Sequence, residues 1–155
     1  MTDNAKQKHP LLMPPVVLLA SALWCFALAR WLPIAKFSSL AGRIIGMATI
    51  VAGVAMVLYC ALEFRRRQTT IIPFQESTSL LTGGLYRFSR NPIYLGMVVL
   101  LIGIATALGS VSPWIMPPIF MAIISKRFIQ KEETSLTETF GDEYLEYSRR
   151  VRRWL

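Results

Sequence analysis

Residues 91–125 read NPIYLGMVVLLIGIATALGSVSPWIMPPIFMAIIS, and none of them is charged. A helix crossing a bilayer needs roughly 20 apolar residues, so this run is too long for one span. It is also too apolar for the surface of a soluble domain. Gly109-Ser110-Val111-Ser112-Pro113 supplies a break inside it. The pattern predicts two spans in a tight hairpin, one from 91 to about 109 and the next from 113 to about 129. Toward the N-terminus, residues 14–32 and 44–62 are apolar over a similar length. The chain therefore reads as all-α, a polytopic membrane protein with about four transmembrane helices in a single domain over residues 1–155.

Composition agrees. Of 155 residues, 54% are hydrophobic and only 17% charged, which is more apolar surface than a soluble core of this size can hide. The formal net charge of +8 would suit nucleic acid or a membrane surface, and its distribution decides between them. Lys6 and Lys8 precede the first span. Arg65, Arg66, Arg67, Arg87 and Arg90 lie in the central loop, and Lys126, Arg127, Lys131, Arg149, Arg150, Arg152 and Arg153 follow the last span. Only Arg30, Lys36 and Arg43 sit by the first short loop, and the second has none. By the positive-inside rule both termini and the central loop are cytoplasmic and both short loops outside. Anionic lipid headgroups account for this charge, and no nucleic-acid motif is present.

A competing reading of the N-terminus is a cleaved signal peptide, with Lys6 and Lys8 ahead of an apolar run and Ala27-Leu28-Ala29 as a small-residue site. The long run up to Trp31, with Trp24 and Phe26 inside it, favours a retained span. Cys25 and Cys60 both fall in spans. Two such cysteines form neither a disulfide framework nor a metal site and read as packing residues; no metal is expected.

Gly42 and Gly46 open the second span with a small-xxx-small spacing that suits a close helix contact, within one chain or in a homo-oligomer. Gly96, Gly103 and Ala107 share one face of the third span, and a groove is expected along it. Pro117-Pro118 falls within the fourth span, where two missing donors predict a kink or an opening. The helix then runs into water to about Phe140 and stops at Gly141. In the last polar segment, from 142 to 153, and just beyond it, Tyr144, Tyr147, Val151 and Trp154 are three or four apart, as in a short amphipathic helix on the cytoplasmic membrane surface.

The polar insertion from Glu63 to Arg90 is where chemistry is expected. Its start, Arg65-Arg66-Arg67, reads as a topology anchor. Its end is richer: TGGLYRFSRNPIYLG over 82–96 sets two glycines, two arginines, two tyrosines and a proline at the mouth of an apolar span. Pro92 suits the first helical turn, and Asn91 suits a cap. Arg87 and Arg90 near a helix N-terminus would make a cationic spot for a carboxylate or phosphate. The second constellation, over 127–147, contains Arg127, Glu132-Glu133, Phe140-Gly141, Tyr144 and Tyr147. The bland reading of Glu133 is an exposed ion pair with Lys126, two helical turns away on the same face and worth little.

Taken in order, these segments resemble the isoprenylcysteine carboxyl methyltransferase and phospholipid methyltransferase family of integral membrane enzymes. The resemblance covers 82–155: a glycine-tyrosine-arginine approach, Arg-X-Pro-X-Tyr-X-Gly leading into a span, a hairpin, Arg-X5-Glu-Glu, and a closing Phe-Gly-X-X-Tyr. It implies transfer of a methyl group from S-adenosylmethionine, bound on the cytoplasmic side, to a lipophilic acceptor arriving from the bilayer, with membrane lipids as surroundings. The implied cofactor-binding residues are Tyr86, Arg87, Arg90, Asn91, Pro92, Tyr94, Gly96, Glu132, Glu133, Tyr144 and Tyr147. Glu132 or Glu133 would accept from the ammonium or ribose, Arg87 or Arg90 would hold the carboxylate, and the tyrosines would pack on adenine or face the sulfonium. Arg127 and Glu133 are the catalytic candidates, Arg127 orienting an anionic acceptor. The chain departs from the family pattern at Asn91, where histidine usually follows the arginine. A hydrogen-bonding role survives that change and a proton-accepting role does not.

Two other functions fit such a scaffold. A nicotinamide-dependent membrane reductase would need phosphate binding by the basic loop, and the sequence has no dinucleotide fingerprint. A non-catalytic lipid- or partner-binding protein would use the Arg and Glu-Glu segments only as anchors.

Overall fold

The computed structural model describes residues 13–37, 39–66 and 80–155. Lys6, Lys8 and Arg67, with the rest of the central loop from 68 to 79, lie outside the described residues. Within them the chain is helical and has no strand, only a single antiparallel bridge between Lys36 and Ser110. The helices are α1 (Pro14–Trp31), α2 (Leu40–Arg66), α3 (Pro92–Leu108), α4 (Met116–Ile124), α5 (Gln130–Phe140) and α6 (Asp142–Arg150). Short 3-10 turns occupy Gly84–Arg87 and Ser112–Ile115, and a π turn over Ser125–Ile129 joins α4 to α5. α1 and the Leu40–Glu63 part of α2 are long and apolar enough to cross a membrane, while α3 is apolar but shorter. The segment expected as a fourth span consists of a 3-10 turn, the nine-residue α4 and the π turn.

α2 and α3 run antiparallel with their backbones in contact. A Cβ on Gly46 would lie 2.5 Å from the Ala107 nitrogen, one on Gly103 2.6 Å from the Ile50 nitrogen, and one on Gly53 2.6 Å from the Leu100 nitrogen. Only glycine permits this approach, because the atoms in the way are backbone. The groove expected along Gly96, Gly103 and Ala107 is thus filled by α2. The expected Gly42–Gly46 contact is carried by Gly46 alone, since a Cβ on Gly42 would meet only Ser39 Oγ. Gly46, Gly53 and Cys60 are buried at a seven-residue spacing, which makes one narrow seam. The rest of α2 turns Ile44, Ile45, Met47, Val51 and Leu58 outward, and α1 does the same with Leu19, Leu23, Trp24 and Phe26. An apolar surface of that extent requires a nonaqueous surrounding.

The main core gathers Cys25 of α1, Tyr94, Met97, Val98 and Leu101 of α3, Phe120 and Ile124 of α4, and Phe128 and Ile129 of the π turn. Gly109, in the left-handed conformation at φ 62°, ends α3 at the break expected from sequence. The two short loops are clipped together at one end of the bundle. Phe37 N–H donates to the Gly109 carbonyl at 2.9 Å, Val111 N–H to Ile34 at 3.0 Å, and Ser112 Oγ to Leu28 at 3.2 Å.

Pro117 and Pro118 do not interrupt a helix. They occupy the first turn of α4, where a missing donor is harmless, because the chain switches from 3-10 to α geometry at Met116. The Pro113 carbonyl, which Pro117 cannot serve, accepts from Met116 N–H and from the Cys25 thiol at 3.7 Å. α5 ends at Phe140 and Gly141 turns the chain at φ 52°. α6 stops at Arg150, and Val151 is already extended, so the expected helical stripe does not reach Val151 and Trp154. Its buried side chains, Tyr144 and Tyr147, pack inside the protein.

Candidate active site

The end of the bundle opposite the two clipped loops is built from three chain segments. The first is the approach to α3. Gly84 adopts φ +58°, and a Cβ there would fall 2.8 Å from the Tyr59 hydroxyl, so glycine is required where the loop crosses α2. The 3-10 turn that follows buries Tyr86 beside Cys60 and Leu81 and leaves Arg87 exposed. Pro92 takes the first position of α3, as expected. Asn91 precedes it and its carbonyl accepts the first helical bond from Leu95, but its side chain does not cap the helix. Instead Asn91 Nδ2 donates to the Arg153 carbonyl at 3.0 Å.

The second segment is the π turn and α5. A π turn takes one extra residue, which rotates everything beyond it by about 100°. Glu133 is thereby turned away from the Lys126 face, and the expected Lys126–Glu133 pair is replaced. Glu133 Oε1 lies 3.3 Å from Arg90 Nη2, and the same carboxylate takes a two-pronged contact from Arg153, whose Nε donates at 3.0 Å and whose Nη2 binds the other oxygen. Glu132 faces inward and accepts from the Tyr94 hydroxyl at 2.6 Å. Burial pushes the Glu132 carboxyl above the usual carboxylate range. The Tyr94 bond opposes that shift and the charge on Glu133 adds to it.

The third segment is α6 and the residues after it. Tyr147 Oη donates to the Tyr86 carbonyl at 2.7 Å, and Arg90 Nη1 donates to Tyr144 Oη at 3.4 Å. The two tyrosine rings sit 6.2 Å apart and tilted by 57°. Burial pushes the Tyr147 hydroxyl up to about 12, helped by Tyr144, and raises Tyr86 and Tyr144 as well, so all three are hydroxyl donors at neutral pH. Beyond α6 the backbone passes over the α3 approach: Arg90 N–H donates to the Arg152 carbonyl at 2.9 Å and Ser89 Oγ to the Arg153 carbonyl at 3.3 Å.

Between these segments opens a cleft of about 360 Å³, lined by Arg90, Gln130, Glu133, Thr134, Thr137, Tyr144, Leu145 and Ser148. That volume falls within the roughly 300–1,000 Å³ of small-molecule sites. Arg90 Nε is buried and finds no hydrogen-bond partner among the described residues. A buried donor left unpaired is costly, and an anionic ligand group would satisfy it.

Of the residues expected at the site, Arg90, Glu133 and Tyr144 line the cleft. Glu132, Tyr94, Asn91, Tyr86 and Tyr147 lie behind them and hold the segments together. Gly96 belongs to the α2 contact, its Cβ position 3.1 Å from the Gly53 carbonyl oxygen. Arg127 lies exposed on the π turn and neither it nor Arg87 lines the cleft. Sequence reasoning missed the α5 row Gln130, Thr134 and Thr137, although with Glu133 its spacing marks one helix face. It also missed Arg153, which carried no signal beyond its charge.

An apolar helical bundle with a polar, arginine- and carboxylate-lined cleft at one end has the make-up of a membrane protein with a candidate site at that end. Comparison with known proteins refines that class. Residues 41–143 match the family model described as phospholipid methyltransferase, which is well over half of the chain, and the protein belongs to that family. An uncharacterized protein of Haemophilus influenzae is 40% identical over 63 residues, covering 41% of this chain and all of the relative. A probable protein-S-isoprenylcysteine O-methyltransferase of Oryza sativa subsp. indica is 28% identical over 110 residues, covering 69% of this chain and 57% of its own length. The protein-S-isoprenylcysteine O-methyltransferase of Schizosaccharomyces pombe is 32% identical over 75 residues, 46% of this chain and 30% of its own. The chain thus spans little more than half, or less, of the relatives that carry an activity in their names. No solved structure matches it.

Proposed function

We propose that this protein is an S-adenosylmethionine-dependent methyltransferase acting on a lipophilic acceptor, isoprenylcysteine carboxylate-like, phospholipid amine or another small hydrophobic molecule, at the cytoplasmic face of a membrane. The chain crosses that membrane four times with both termini cytoplasmic. The observation that carries this reading is the convergence of Arg90, Glu133 and Tyr144, from the two segments singled out in sequence, on one polar cleft with an unpaired guanidinium donor.

When bound, S-adenosylmethionine supplies an electrophilic methyl on a sulfonium. The residues present suit the rest of that molecule. Arg90 offers Nε to its carboxylate, and Glu133 retains lone pairs for an ammonium or a ribose hydroxyl although both its oxygens touch arginine. Tyr144 lines the cleft beside them. Tyr94 and Glu132 fix α5 against α3 behind the cleft, so that the groups lining it are held in one geometry. Arg127, exposed beside the membrane boundary, orients an anionic acceptor.

The test is transfer of labelled methyl from S-adenosylmethionine by the purified protein, offered a total lipid extract and a prenylated cysteine derivative in turn. Label in a lipophilic product, lost in Arg90→Ala, supports the reading. Absence of label with every acceptor, from protein that is folded and binds no cofactor, refutes it.

A further inference from the structure

The cluster around Glu133 holds one carboxylate and two guanidiniums. Arg153 binds that carboxylate side-on with two donors, while Arg90 touches it through one nitrogen at 3.3 Å. A side-on fork is the stronger of the two arrangements, so the charge of Glu133 is spent mainly on Arg153. Arg90, which lines the cleft with a side chain only 16% exposed, is left with surplus positive charge and a buried, unpaired Nε. Arg153 is in turn held in place by its own backbone. Its carbonyl accepts from both Asn91 Nδ2 and Ser89 Oγ, and the preceding carbonyl accepts from Arg90 N–H. The chain after α6 is therefore a strap tied to the residues flanking Arg90.

We infer that Arg153 is a positioning residue for ligand binding: by occupying Glu133 it keeps Arg90 from being neutralised, and so sets the affinity of the cleft for a carboxylate-bearing ligand. Without Arg153, Arg90 swings fully onto Glu133, the cluster becomes neutral, and the anion loses its partner. Asn91 serves the same end, because its amide anchors the strap at the position where the family pattern has histidine. This inference rests on the proposed function, since it takes the ligand to be S-adenosylmethionine.

The experiment compares the affinities of S-adenosylmethionine and its decarboxylated analogue for the full-length protein in detergent, for wild type, Arg153→Ala, Arg153→Lys and Asn91→Ala. Arg153→Ala is expected to weaken S-adenosylmethionine roughly ten- to a hundredfold, the weight of one charge-assisted hydrogen bond, and to leave the decarboxylated analogue within about twofold. Arg153→Lys, which keeps the charge but not the fork, is expected between wild type and Arg153→Ala, and Asn91→Ala to shift in the same direction as Arg153→Ala. A merely structural role would weaken both ligands alike, and that result, or unchanged binding in Arg153→Ala, overturns the inference while leaving the methyltransferase reading standing. A folded wild type that binds neither ligand overturns both.

Discussion

Arg90 Nη2 and Glu133 Oε1 meet at 3.3 Å, with Arg153 on the same carboxylate, so a single acid joins the approach to α3, the start of α5 and the chain beyond α6. Its removal leaves two partly buried guanidiniums facing each other. Glu133→Ala is expected to cost about 1–3 kcal/mol, the range for breaking a partly buried charged contact, read as a lower thermal midpoint in detergent. An unchanged midpoint would mean that the three segments are held by other contacts.

The α2–α3 seam predicts a contrast between two glycines of one helix. Gly53→Ala forces a methyl to within 2.6 Å of the Leu100 nitrogen, and backbone cannot step aside, so a loss of about 1–3 kcal/mol or more is expected. Gly42→Ala meets only a serine hydroxyl at 3.2 Å and should be close to neutral. Thermal unfolding of both variants side by side checks this, and equal effects would contradict the packing.

Glu132 predicts a pH dependence of a definite sign. Burial raises its carboxyl in the folded protein, so the folded state binds the proton more tightly than the unfolded chain. The stabilisation from this group is full below the ordinary carboxylate range and is lost as pH rises through the raised folded value. Glu132→Gln keeps an acceptor for Tyr94 without the charge. It should therefore gain stability over wild type at neutral and mildly alkaline pH and show a flatter profile on acidification. A wild-type midpoint that rises with pH across that window would show that the carboxyl is not desolvated.

The proposed four-span topology predicts an accessibility pattern. Cys25 and Cys60 are fully buried and should resist a membrane-impermeant maleimide. Val111→Cys, on the exposed turn between α3 and α4, should label in intact cells, and Glu143→Cys on α6 only after permeabilisation. Labelling of both from one side would require a different number of crossings.

What sequence revealed and what it missed follows from the range of the interactions involved. The break at Gly109 and the stop at Gly141 are local, since glycine takes positive φ readily, and both stand where they were expected. The placement of Pro92 was legible for the same reason. Pro117-Pro118 was misplaced because sequence does not show that a 3-10 turn precedes α4 and moves the prolines into its first turn. The π turn had no composition signal, yet it decides which face of α5 carries Glu133, and so it turned an expected Lys126–Glu133 pair into an Arg90–Glu133–Arg153 cluster. Arg90, Glu133 and Tyr144, which line the cleft, each sit in a spaced motif that sequence displays. Arg153 does not; it reaches the site only through the fold of the strap, and Gly96 was assigned to the cofactor although its missing side chain serves α2.

The most direct measurement of the central claim is calorimetric binding of S-adenosylmethionine to the purified protein in detergent, beside Arg90→Ala and Glu133→Ala and a nicotinamide cofactor control. The account predicts a dissociation constant on the order of micromolar, weakened about tenfold or more by Arg90→Ala and measurably by Glu133→Ala, with no binding of the control. A folded wild-type sample that takes up no S-adenosylmethionine, or binds it equally well in both variants, would contradict the assignment of this cleft to the methyl donor.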